Sequence, residues 1–107
     1  MDIDNVLIQC RFSRRYRGYH VLRDSIRLVM ENESKLLRIT HIYDQVAEKQ
    51  NMSRESVERN LRTVISYSWA HGGKEQLELL SGGKLYDKPT SGEVIEMIAY
   101  YMKMNKN

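Results

Sequence analysis

Met52 to Gly73 reads MSRESVERNLRTVISYSWAHGG. Val57, Leu61, Val64, Ile65 and Ser68 recur at the three-and-four spacing that gathers the buried face of an α-helix, and Trp69 borders that stripe. Ser53 stands before the run as an N-cap, and Gly72 with Gly73 is expected to stop it. At about 100° per residue, Glu55, Arg59, Arg62 and Ser66 fall opposite the stripe, with Ser56 and Glu58 on its flanks. That charged face has two readings. It is either a solvated surface laced by the i,i+4 pairs Glu55/Arg59 and Glu58/Arg62, or a surface that reads nucleic acid. In a major groove arginine donates two hydrogen bonds to guanine, glutamate accepts from cytosine and serine suits several base edges. The pattern alone leaves both open.

Working outward, THIYDQVAEKQN (Thr40–Asn51) predicts the preceding helix, with Thr40 as its cap, Ile42, Val46 and Ala47 inward and Asn51 at its end. A helix with alanine at a close-packing position, a tight polar turn and a Ser-capped helix charged at its amino end have the shape of a helix-turn-helix. Leu22, Ile26, Val29 and Met30 predict a buried face on a helix from about Tyr19 to Glu31, and Ile3, Val6, Leu7 and Cys10 predict a short one over Ile3–Cys10, started by Asp2 or Asp4. Lys35–Thr40 reads as a turn or short helix. Beyond the glycines, a helix over about Glu75–Leu80 ends in Ser81–Gly83. Thr90 and Glu93 then form a capping box for a last helix that buries Val94, Ile95, Ile98, Tyr101 and Met102 and frays through Met104–Asn107. Strand signals are scarce and Pro89 is the sole proline. The expectation is all-α: one domain over residues 1–107, a compact bundle of about six helices containing a helix-turn-helix.

Composition narrows the function classes. A chain of 107 residues, 41% hydrophobic and 29% charged, can bury a core without metal or disulfide staples. Its apolar runs fall short of a membrane span, and its amino end lacks a basic-then-apolar secretion signal, so a cytoplasmic protein is expected. Cys10 stands alone and reads as a buried apolar thiol. His20, His41 and His71 lack zinc-ligand spacing, the Gly72–Lys74 and Ser81–Lys84 stretches lack a P-loop frame, and no acid/base pair is framed. No enzyme, cofactor, metal or small-molecule substrate is therefore expected. The net charge of +3 permits a nucleic-acid partner without arguing for one. Its distribution argues more. RFSRRYRGYH (Arg11–His20) holds Arg11, Arg14, Arg15 and Arg17 with no acid among them, beside Phe12, Tyr16 and Tyr19. Arginines there can grip phosphates while the aromatics anchor the segment, although any polyanion, RNA included, would serve equally. The candidates are thus Glu55, Ser56, Glu58, Arg59 and Arg62 for bases, and Ser53, Arg54, Arg14, Arg15 and Arg17 for phosphates.

Four blocks stand out in order: RGYHVLRDSI (Arg17–Ile26), ITHIY with VAEK between Ile39 and Lys49, VERNLRTVI (Val57–Ile65) with Trp69 and Gly72, and KPTSGEVIEM (Lys88–Met97). Over roughly Tyr16 to Met102 they make the chain resemble the C-terminal effector domain of the response-regulator family that initiates endospore formation. The resemblance implies an all-helical domain that lays a recognition helix, about residues 53–71, in the major groove of a short promoter box. It also implies copies binding tandem sites as a homodimer, and a contact with RNA polymerase. By position, Glu58, Arg59 and Arg62 coincide with the family's recognition-helix residues, and Arg17 replaces a lysine before the Gly-Tyr pair. Ser56 stands where the family has arginine and Asp44 where it has proline, and the Leu37–Tyr43 segment is slightly shorter. The family's receiver domain is missing from these residues. The chain is expected to be a sequence-specific DNA-binding transcription regulator. The alternative is a receiver-less paralogue that dimerises with, or competes against, a full-length regulator as a protein-interaction module.

Overall fold

The computed structural model describes residues 2–105. Among them all regular structure is helical: α1 (Ile3–Gln9), α2 (Arg17–Glu31), a 3₁₀ segment (Glu33–Arg38), α3 (Ile39–Gln50), α4 (Arg54–Ser68), a π turn (Trp69–Gly73), α5 (Lys74–Ser81) and α6 (Ser91–Met104). Helix starts follow local cap chemistry. The Asp2 carboxylate accepts the Asp4 N–H, Ser53 Oγ accepts the Ser56 N–H at 3.1 Å, and Thr90 and Glu93 complete both halves of a capping box. Asn51 ends α3 in the left-handed region at φ 54°, as its position predicted.

Four boundaries differ from expectation. The run before α3 winds as a 3₁₀ segment capped by Asn32, so α3 begins at Ile39 and Thr40 lies inside it. Gly72 and Gly73 do not stop α4. Gly72, at φ 95°, lets one π turn bend the chain into α5, which brings Leu77 fully into the core. With these joins the described residues form five continuous helical runs rather than about six separate helices. α2 starts at Arg17, two residues ahead of Tyr19, which places Gly18 on the helix surface that meets α4. The tail expected to fray is helical through Met104 with its cap at Asn105, and Lys106 and Asn107 lie outside the described residues.

The core is assembled from Leu7 of α1, Tyr19, Leu22 and Ile26 of α2, Ile42 and Val46 of α3, Val57, Leu61 and Val64 of α4, and Val94, Ile95 and Ile98 of α6. Each large aliphatic so placed contributes about 1.5–3 kcal/mol relative to exposure. Met30 and Tyr101, read as core residues, are respectively exposed and half-buried. Cys10 is buried, and desolvation pushes its thiol up to about 12, so it stays protonated.

α2 ties the other helices together. The Arg17 guanidinium donates to the Gln50 carbonyl at 2.6 Å, and the buried Asp24 carboxylate accepts from Gln50 Nε2 at 2.6 Å and Lys49 Nζ at 3.4 Å, so the carboxyl end of α3 is held twice. Toward α1, the Tyr19 hydroxyl donates to Asp4 Oδ1 at 2.5 Å and Arg23 Nη1 donates to the same oxygen at 3.2 Å. Those interactions, the Tyr19 hydrogen bond first, hold the Asp4 carboxyl below its ordinary value of 3.8 despite some opposing desolvation.

Two measurements check this arrangement. A Cβ at Gly18 would overlap the Asn60 carbonyl oxygen and come within 2.9 Å of Val64 Cβ, whereas one at Gly83 meets nothing within 4 Å. Gly18→Ala should cost about 1–3 kcal/mol in urea unfolding, and Gly83→Ala no more than about 0.5 kcal/mol. For Asp4, the lowered native pKa means that its contribution is present above the unfolded value and is lost as pH falls through the native one. Asp4→Asn should therefore be less stable than the parent near neutral pH, with the gap closing as acid titration passes below 3.8.

Candidate nucleic-acid interface

Ser53 fixes the start of α4, and its hydroxyl also donates to Ser56 Oγ at 3.0 Å. Arg59 Nη2 donates to the same Ser56 oxygen at 3.1 Å, and Asn60 Nδ2 donates to the Ser56 carbonyl at 2.8 Å. Ser56, half-buried, thus joins the cap to the arginine one turn on. Glu55, Arg59 and Arg62 are exposed, on the side away from the buried Val57, Leu61 and Val64, where the helical periodicity put them.

The pairs that would make this face merely solvated are not formed. Among the described residues, neither Glu55 with Arg59 nor Glu58 with Arg62 comes within ion-pairing distance. The acid–base contact at this helix is instead Arg54 Nε to Asp44 Oδ1 of α3 at 3.6 Å. Both side chains are largely exposed, so the contact is worth about 0–1 kcal/mol.

Glu58 is turned toward a shallow cavity of about 510 Å³ that it shares with Arg62, Tyr43, Lys88, Thr90 and Ser91. Burial, and then the Glu58 charge, push the Tyr43 hydroxyl upward, opposed by its hydrogen bond with Ser91. Lys88 Nζ donates to Ser66 Oγ at 2.6 Å, which sets an ammonium beside the outward face of α4. Sequence reasoning missed this cation. Lys88 lies 22 residues from Ser66, and nothing in its own stretch pointed to a place beside α4.

The arginine connector is divided rather than clustered. Arg17 belongs to α2 and sits on the Gln50 carbonyl, next to the turn before α4. Arg14 folds back with its guanidinium 5.9 Å from the Tyr19 ring centre. Arg15 is exposed, its N–H bonded to Ser13 Oγ. Arg11, in the left-handed region at φ 68°, lies against Gly72 at the far end of α4. Phe12 and Tyr19 anchor the segment in the core, while the exposed Tyr16 packs on Tyr67 at 5.0 Å between ring centres. Among the described residues no group of three or more histidine, cysteine or acidic side chains could hold a metal ion, and no helix is long and apolar enough to cross a membrane.

The family model described as sporulation initiation factor Spo0A, C-terminal, matches residues 3–102. The chain belongs to the Spo0A C-terminal family. Members of the Spo0A C-terminal family are DNA-binding regulatory domains of sporulation, not catalytic ones. The match takes in α1 and the connector as well as the stretch from Tyr16 onward, and ends at Met102 within α6.

The positions of Arg15 and Arg17 predict different consequences for the free protein. Arg17→Ala removes the hydrogen bond to Gln50 and should lower stability by about 0.5–1.5 kcal/mol, while Arg15→Ala should change it by no more than about 0.5 kcal/mol. Parallel urea titrations distinguish the two.

Proposed function

We propose that this chain is a sequence-specific DNA-binding transcription regulator, a single domain needing no cofactor and acting in the cytoplasm, in which α3, the turn at residues 51–53 and α4 work as a helix-turn-helix. The observation that carries the reading is the unpaired state of Arg59 and Arg62. Both guanidinium groups stand exposed on α4, with carboxylates at i,i+4 spacing that do not engage them. Free of carboxylate partners, and with Arg59 keeping donors beyond the one on Ser56, the two groups suit guanine edges in the major groove of a short promoter box.

In this reading Arg59 and Arg62 donate to bases, Glu58 accepts from cytosine, and Glu55 and Ser56 complete the face that meets base edges. Ser53 and Arg54 at the start of α4 meet phosphates, as do Arg14, Arg15 and Arg17. Lys88 extends the phosphate grip along the other end of the helix. Ser56 has too little reach to replace an arginine at its position, but its hydroxyl orients Arg59 and so passes base choice to that residue. Copies on tandem boxes, forming a homodimer there, and a contact with RNA polymerase complete the proposal.

Selection of bound duplexes from a random pool is the direct test, and a short enriched motif is expected. Arg59→Ala and Arg62→Ala should each lose about 1–3 kcal/mol of discrimination at one base pair, and Ser56→Arg should add a guanine preference. Arg14→Ala with Arg15→Ala should weaken all duplexes alike, lowering the log–log salt slope by about 0.9 for each lost phosphate contact. A protein-interaction module that competes with a full-length regulator would enrich no motif. An unchanged motif in both arginine variants would remove α4 from the groove.

A further inference from the structure

A concavity of about 1130 Å³ lies between the end of α2, the 3₁₀ segment, the end of α5 and the face of α6. None of its lining residues comes from α3, α4 or the turn between them. Its floor is apolar and adaptable. Met30 is 44% exposed and Tyr100 63% exposed, and the half-buried Leu36, Leu80 and Met97 continue the surface between them. Long unbranched methionines reshape around an incoming side chain at low cost, and contiguous exposed apolar surface on a small domain marks a contact site.

The rim carries the opposite charge to the molecule. Glu31, Glu33 and Glu96 line the groove against a single ammonium, Lys103, which is already tied to Glu33 at 2.6 Å. Glu31 and Glu96 have no ion-pair partner among the described residues. A chain of net charge +3 therefore presents a groove of net negative charge. Such a rim repels the DNA backbone and attracts a cationic polypeptide. We propose that this groove docks an amphipathic helix of a partner protein, its apolar stripe seated on Met30, Met97 and Tyr100 and its lysine or arginine flanks meeting Glu31 and Glu96. Helix-in-groove recognition rests on an apolar surface and on charges beside it that set orientation. Because α4 contributes nothing to the groove, the partner helix and a DNA duplex can be held together.

The test is fluorescence anisotropy of the full chain with a labelled helical peptide of about four turns, leucines at i, i+3, i+4 and i+7 and lysines on both flanks. A twin peptide carries glutamate in place of every lysine. The lysine peptide should bind in the micromolar range and the glutamate twin more weakly by at least about tenfold. Glu31→Gln combined with Glu96→Gln, both exposed and harmless to folding, should weaken the lysine peptide by about tenfold. Tyr100→Ala should weaken both peptides, with thermal melts confirming that the variants remain folded. A saturating duplex should not displace the peptide. Failure of the lysine peptide to bind, equal affinity for the twins, indifference to the variants or displacement by duplex would each overturn the proposal. So would sedimentation showing a second copy of the chain in the groove, through self-association lost in Tyr100→Ala.

Discussion

The close approach of α2 to α4 at Gly18 governs the rest of the molecule. With only hydrogen at that position, the α2 backbone can rest on the Asn60 carbonyl and the Val64 side chain. Tyr19, the next residue, is then carried wholly into the core with its hydroxyl on Asp4. From the same helix Arg17 and Asp24 reach the last turn of α3. Both arms of the α3–turn–α4 unit, and α1 as well, are therefore referenced to one rigid rod. Side chains that must reach fixed positions on a partner gain accuracy when their helix is set by close packing rather than by loops.

What was legible in the sequence was local. The apolar face of α4, the Ser53 cap, the Asn51 terminator and the Thr90/Glu93 box all follow from rules that act within a few residues, and so does the outward direction of Glu55, Arg59 and Arg62. What escaped depended on distant partners. Gly72 is compatible with either a stop or a bend, and the burial of Leu77 selects the bend. Thr40 had the chemistry of a cap, but the 3₁₀ segment ahead of it moved the helix start to Ile39. Arg17 read as free for phosphate, while its partner, the Gln50 carbonyl, lies 33 residues away. The same blindness to long separations concealed Lys88 beside Ser66.

Two side-chain contacts act on the cations at the start of α4. Asp44 draws Arg54 toward α3, and Ser56 draws Arg59 back along α4. Neither contact is strong, since the first is an exposed ion pair and the second a surface hydrogen bond. Their joint effect is orientational. They set where two long cations spend their time before anything is bound, at little cost when a partner competes for them.

The π turn that joins α4 to α5 has a spectroscopic consequence. It contains Trp69, the chain's only tryptophan, half-buried with the Lys74 ammonium 5.7 Å from its ring centre. Indole emission responds to nearby charge and to hydration, so all of the tryptophan fluorescence originates at one bend, next to the end of the helix whose outward face is open. The molecule thus carries its own optical reporter at the junction of α4 and α5, readable without any attached dye.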